Sequence, residues 1–251
     1  MSRFEGRTAI VTGASRGIGL GIAQRLVDDG ARVVITARHQ EALDEAVEQL
    51  GGKEHATAVA GKADDGDHQA EVIATAIDTY GSADLLVNNA GINPVAGGLM
   101  QLDLAAARKT VEVNCFGAIA WTQAIHKAWM GEHGGAIVNV SSIAGLAPTP
   151  LIAMYGASKA MLNYITQELA VELGPKVRVN AVLPAVVKTQ FAELLYKGRE
   201  DEASAPYPLK RLGEPRDIGD AVAYLLSEDA AWVSGHLLTV DGGVTAAAGA
   251  L

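Results

Sequence analysis

Short apolar runs alternate with longer amphipathic stretches along the whole chain. Thr8–Thr12 (TAIVT) is brief and rich in β-branched residues, which predicts a strand. Ile18–Asp29 reads as a helix closed by Gly30, and Val33–Thr36 as a second strand. A helix over His39–Leu50 ends at Gly51-Gly52, and Thr57–Ala60 is a weaker third strand. Asp67–Tyr80 reads as a helix, and Leu85–Val87 as a strand cut off by Asn88-Asn89-Ala90-Gly91. Asp103–Met130 reads as one long helix, followed by the strand Ala136–Val140. A helix carrying Tyr155 comes next, then the strand Val177–Val182, the helix Asp217–Ser227 and a last strand, Leu237–Val240.

The strands are apolar runs without polar alternation, so both of their faces are buried. Strands of this kind, separated by helices, predict a parallel sheet covered on both sides. Right-handed crossovers then give an α/β doubly wound sheet. No composition shift marks a second domain, so residues 1–251 are expected to form one domain.

Composition narrows the function. A net charge of −9 offers no basic footprint for nucleic acid or an anionic membrane. The single cysteine, Cys115, allows no intrachain disulfide, which suits a reducing cytoplasm. The start of the chain, MSRFEGRTAIVTG, lacks a signal-peptide layout. The six histidines show no zinc spacing with one another or with Cys115, so no metal site is expected. The small-residue tail Ala246–Leu251 is expected to be loosely ordered or docked at a subunit contact.

The candidate chemistry lies in residues 134–159, GGAIVNVSSIAGLAPTPLIAMYGASK, which carry no charge until Lys159. Prolines, serines and glycines exclude a membrane span there. Tyr155 and Lys159 are four apart on a helix and so share a face. Ser142 leaves the preceding strand. A hydroxyl, a phenol and an ammonium together make a proton-transfer site, in which the cation is expected to lower the phenol pKa.

Ligands of such sheets bind beyond the carboxyl ends of the strands. Thr12-Gly13-Ala14-Ser15-Arg16-Gly17-Ile18-Gly19 follows the first strand as G-x-x-x-G-x-G. It offers a tight turn, close backbone approach and a helix N-terminus for a pyrophosphate. After the second strand, where an acid would hold free ribose hydroxyls, the chain reads Thr36-Ala37-Arg38-His39. Arg38 and Arg16 suit a 2′-phosphate, which favours NADP(H) over NAD(H).

Thr12–Gly19, Asn88-Asn89-Ala90-Gly91, Asn114, Ser142 and Tyr155-x-x-x-Lys159 together resemble the classical short-chain dehydrogenase/reductase family. The resemblance continues through Pro208–Gly213, Pro215-x-Asp217-Ile218 and Val240–Gly243. It implies a single Rossmann-like domain with a seven-stranded parallel sheet. It also implies hydride transfer between a nicotinamide cofactor and a carbonyl or secondary alcohol, in a homotetramer or a dimer.

The resemblance also implies roles. Tyr155 would be the general acid/base, and Lys159 would lower its pKa and bind the nicotinamide ribose. Ser142 would hydrogen-bond the substrate oxygen, with Ser141 one position off the family spacing. Asn114 would hold a water in a proton relay. Gly13, Ser15, Arg16, Gly17, Ile18, Gly19, Arg38, Asp64, Asn89, Ala90 and Gly91 would line the cofactor, together with Pro184, Val187 and Thr189. Two positions depart from the pattern: Pro184-Ala185 replaces Pro-Gly, and Lys62 stands where the family has the first acid of Asp-Val-x-Asp. Asp64 takes that acid's role only after a shift.

Residues 188–209 would be the substrate lid, with Phe191, Leu194, Leu195 and Tyr196 on an apolar side. Leu146, Pro148, Ile152 and Met154 would form the opposite wall. The leading expectation is an NADP(H)-dependent carbonyl reductase or alcohol dehydrogenase acting on a small or medium apolar substrate. The alternatives are a 3-oxoacyl-[acyl-carrier-protein] reductase, for which only His133 and Lys176 offer a basic patch, and a nucleotide-binding sensor without turnover.

Overall fold

The computed structural model describes residues 2–94 and 97–247. Seven parallel strands form one sheet in the order β3-β2-β1-β4-β5-β6-β7. They are β1 (Thr8–Thr12), β2 (Arg32–Ala37), β3 (Ala56–Ala60), β4 (Leu85–Asn88), β5 (Gly135–Val140), β6 (Val177–Pro184) and β7 (Leu237–Val240). The order reverses between β1 and β4, which opens a crevice at their carboxyl ends. The central strands are apolar because both faces are covered, as their sequences predict.

On one face lie α1 (Gly17–Asp28), α2 (Gln40–Gln49) and, later in the chain, the helix Pro215–Leu226. On the other lies α3 (Gly66–Tyr80) with a long helical rod. That rod comprises α4 (Leu104–Val111), a π-helical turn (Glu112–Phe116), α5 (Gly117–Ile125), a second π turn (His126–Met130) and α6 (Gly131–His133). The helix expected over 103–130 is therefore continuous but twice widened into a π turn, and both π turns are invisible to periodicity.

The remaining helices are α7 (Ala153–Leu173), α8 (Glu193–Tyr196), α9 (Glu200–Ser204), α10 (Pro215–Leu226) and α11 (Val244–Ala247). The tail beyond Ala247 lies outside the described residues. No helix among the described residues is long and apolar enough to cross a membrane.

Helix α10 is clamped at its end by Arg178 of β6. The guanidinium donates to the carbonyls of Leu225, Leu226 and Ser227 at 2.7, 3.2 and 2.9 Å. These are the orphan acceptors of a helix C-terminus. Buried Asp84, before β4, accepts from the Thr8 amide at 3.0 Å and the Ser82 hydroxyl at 2.6 Å, locking β4 to β1 at the amino ends.

Candidate active site

The glycine turn is assembled by β4. The Asn89 side chain donates to the carbonyls of Thr12 and Gly13 at 2.8 and 3.0 Å. The Thr12 hydroxyl in return accepts from the amides of Asn89 and Ala90, each at 3.0 Å. Gly13 and Gly17 have positive φ, 66° and 59°. A Cβ on Gly13 would stand 2.9 Å from the Ala90 Cα, and one on Gly19 2.5 Å from the Gly13 carbonyl oxygen. Only bare backbone fits here. Arg16 is the N-cap of α1 yet makes no side-chain cap, and the first turn holds no acid. The amides at this N-terminus suit an anion. Thr189 lies against the same turn, its Cγ2 3.3 Å from where a Gly17 side chain would begin. These residues fit a dinucleotide pyrophosphate.

Arg16 and Arg38 are both exposed. Asp64 is less free than the sequence suggests: Lys109 takes its carboxylate and, with a hydrogen bond, holds it below the ordinary carboxylate range.

Around the carboxyl ends of β4 and β5, the structure brings Gly91, Asn114, Ser142, Tyr155 and Lys159 together. Asn114 sits in the first π turn. Its Oδ1 accepts from the Ile92 amide at 2.8 Å, and its Nδ2 donates to the Ile92 carbonyl at 3.0 Å and to the Ser158 hydroxyl at 3.1 Å. The side chain thus ties the rod to the loop after β4 and to α7. A Cβ on Gly91 would lie 3.4 Å from Asn114 Oδ1 and 3.5 Å from Lys159 Nζ.

The two serines separate clearly. Buried Ser141 donates to the Lys159 carbonyl at 3.2 Å and so holds α7. Ser142 is half-buried and lies beside the Tyr155 phenol. Small residues allow this approach: a Cβ on Gly145 would stand 2.8 Å from Lys159 C, and one on Gly156 2.7 Å from the Ala144 carbonyl oxygen.

One expectation needs correction. Burial pushes the Tyr155 phenol up to about 12, with only the Ser142 hydroxyl acting the other way. The Lys159 ammonium donates to the Val140 carbonyl at 2.8 Å and lies 5.6 Å from the phenol ring centroid. Burial pulls its own pKa down to about 8. In this state the lysine is spent on the end of β5, and desolvation governs the tyrosine.

Beyond β6, Ala185 avoids positive φ, so its Cβ is tolerated where the family has glycine. Pro184 is buried at the end of β6. Val187 is buried and pairs with Gly213. The Phe191 ring stands 6.2 Å from the Tyr155 ring. Opposite, Leu151 is held at φ 68°, and its carbonyl accepts from Gly97 at 2.7 Å. Met154 lines a groove of about 400 Å³ with Leu104, Ala107, Val111 and Phe116, and with the charged Arg108 and Glu112.

Cys115 is fully buried against the Ser158 carbonyl, and burial pushes its thiol up to about 11. Trp121 is core, its indole donating to the Ala63 carbonyl at 2.9 Å, and Trp129 stacks on His133 at 3.9 Å. No group of described residues could hold a metal ion.

An open α/β crevice with an anion-ready turn beside a buried phenol and lysine is the arrangement of a nucleotide-dependent oxidoreductase. The family model described as enoyl-(acyl carrier protein) reductase matches residues 13–245. "Dehydrogenase/reductase SDR family member 4" of Caenorhabditis elegans is 38% identical over 97% of this chain and 97% of its own. "Tropinone reductase-like 3" of Erythroxylum coca is 38% identical over 96% of this chain and 94% of its own. A solved short-chain dehydrogenase/reductase, glucose/ribitol dehydrogenase from Brucella melitensis, superposes with TM-score 0.91 at 34% identity, covering 96% of this chain and 98% of that one. The chain belongs to the classical short-chain dehydrogenase/reductase family and is an NAD(P)-dependent oxidoreductase.

Proposed function

We propose that the enzyme interconverts an apolar ketone or aldehyde and the corresponding alcohol, using NADP(H). The nicotinamide supplies or accepts the hydride when bound. Tyr155 gives its proton to the carbonyl oxygen in reduction and recovers it in oxidation. Ser142, beside the phenol, donates a hydrogen bond to the same oxygen. Lys159 stabilises the phenolate once its ammonium turns from the Val140 carbonyl toward it, and Asn114 fixes the π turn against the loop that edges the site. The observation that carries this reading is the convergence of Ser142, Tyr155 and Lys159 on one crevice, with Ser141 turned away.

Residues 188–209 act as the lid. Its stem is held by Lys188, which bridges Glu200 at 3.3 Å and Glu214 at 3.1 Å. Its far end is held by buried Tyr207, whose hydroxyl accepts from the Val186 amide at 3.2 Å. Between them Phe191, Leu194 and Leu195 are exposed, which suits an apolar substrate. His133 and Lys176 precede β5 and β6, at the opposite end of the sheet from Ser142, and so do not flank the entrance of their own chain's site.

NADP(H) is favoured by exposed Arg16 and Arg38 and by Ala37, which places no acid at the end of β2. The double variant Ala37→Asp with Arg38→Leu should reverse the preference, since the acid accepts from ribose hydroxyls and repels a phosphate. NADPH and NADH are compared by kcat/KM on a panel of ketones, aldehydes and 3-oxoacyl thioesters. A wild type that prefers NADH overturns the cofactor reading, and one that turns over only thioesters overturns the substrate reading.

A further inference from the structure

We propose that Lys62 is a third determinant of cofactor choice, a cation that meets the adenosine 2′-phosphate beside Arg16 and Arg38. The inference rests on the NADP(H) reading and adds to it a residue that the sequence pattern marks only as a departure.

Three adjacent strands end side by side. Thr12 of β1 pairs with Thr36 of β2, and Ala37 of β2 with Ala60 of β3. The chain stays in register just beyond: the Ala14 amide donates to Thr36 at 3.1 Å, and the Gly61 amide to Ala37 at 2.9 Å. Arg38 follows Ala37 directly and Lys62 follows Gly61 directly, so their backbones leave neighbouring strand ends. Arg16 leaves the turn after the third. All three side chains are exposed.

What distinguishes Lys62 is the fate of the acids that follow it. Lys109 holds the Asp64 carboxylate. Asp65 is the N-cap of α3, accepting from the amides of Asp67 at 3.0 Å and His68 at 3.4 Å. Both nearby carboxylates therefore have closer partners; Lys62 adds only a weaker attraction to Asp64 and makes no ion pair of its own among the described residues, so its ammonium can turn to a ligand. An acid here would repel a 2′-phosphate, whereas a lysine attracts it on a chain whose net charge is −9. The stem is flexible and the ammonium is a point charge, so it adds attraction where the guanidiniums add geometry.

The test is calorimetric titration of adenosine 2′,5′-bisphosphate and adenosine 5′-monophosphate, which differ only by the 2′-phosphate. The wild type should bind the bisphosphate more tightly. Lys62→Ala should weaken the bisphosphate roughly five- to tenfold, the scale of one exposed charge-assisted contact, and change the monophosphate less than about twofold. Lys62→Arg should restore most of the loss, and the Lys62→Ala effect should shrink as salt is raised. If Lys62→Ala weakens both nucleotides alike, or neither, the proposal is overturned while the NADP(H) reading stands. If the wild type binds both equally, the NADP(H) reading itself falls and takes the proposal with it.

Discussion

Single side chains separate chemistry from support at this site. Tyr155→Phe keeps the ring and removes the proton, so kcat should fall by roughly two to four decades, the range for general acid–base catalysis. Cofactor affinity, read by fluorescence titration, should hold. Near wild-type turnover would remove Tyr155 from its role. The serines should split: Ser142→Ala should lower kcat, whereas Ser141→Ala should lower stability by about 1 kcal/mol, because its bond to Lys159 is buried. A reversed pattern in assay and melting would exchange their roles. Lys159 and Tyr155 also tie stability to pH. The Lys159 pKa is depressed from 10.5 to about 8, so the unfolded chain binds more protons between those values and stability rises with pH across them. The Tyr155 pKa is raised from 10.0 to about 12, so the folded chain holds the proton longer and stability falls between those values. Lys159→Met should abolish the rise between pH 8 and 10 in denaturant titrations; a slope unchanged by the substitution would deny the buried-lysine cost. That Ser142, Tyr155 and Lys159 come together was legible from the sequence only because the other motifs stand in order around them, since a Tyr-x-x-x-Lys pair alone often just shares a helix face. The direction of the tyrosine shift was not, because the sequence does not say that Lys159 bonds to Val140.

Elements were read well wherever hydrophobic period decided them. Every strand falls within two residues of its expected range, the partly buried edge strands β3 and β7 included, because each is a short apolar run bounded by turn residues, too short for a helix. The π turns escaped because one inserted residue barely alters the apolar stripe, yet the first of them positions Asn114. In residues 188–209 an apolar side at Phe191–Tyr196 was expected and falls on α8 and the turn before it, while the polar stretch that follows carries the short helix α9. Contact between helices was not legible at all. Helices α1 and α10 approach so closely that a Cβ on Gly21 would lie 2.5 Å from Pro215 Cβ, and one on Gly219 2.8 Å from the Gly21 carbonyl oxygen. Gly219→Ala and Gly21→Ala should therefore each cost about 1–3 kcal/mol, the range for overpacking. Both glycines have ordinary helical φ, so backbone freedom does not explain them. A melting temperature unchanged in both variants would mean that the helices separate freely.

At the scale of the whole molecule, the rod and α7 do not finish their packing within one chain. Leu104 and Phe116 on the rod, with Met161, Tyr164 and Val171 on α7, are exposed. A groove between the rod and α7 is lined by Leu104, Ala107, Val111, Phe116 and Met154, with Arg108 and Glu112 as its charged members. These residues sit on two long rigid helices, not at scattered loop tips, which is how an apolar face meant for another helix pair is presented. A second copy bringing the same face would form an isologous contact that closes on itself. Stable interfaces of this kind bury roughly 1,200 Å² or more, an extent that these two helices have the length to supply. The expected outcome is a homotetramer at micromolar concentration, measured by light scattering coupled to gel filtration. Phe116→Asp replaces an exposed apolar ring of the face by a charge without touching the sheet. It should halve the assembly, while circular dichroism shows the fold retained. A wild type that elutes as a monomer would overturn the oligomer reading. A wild-type oligomer that Phe116→Asp leaves intact would move the contact away from this groove.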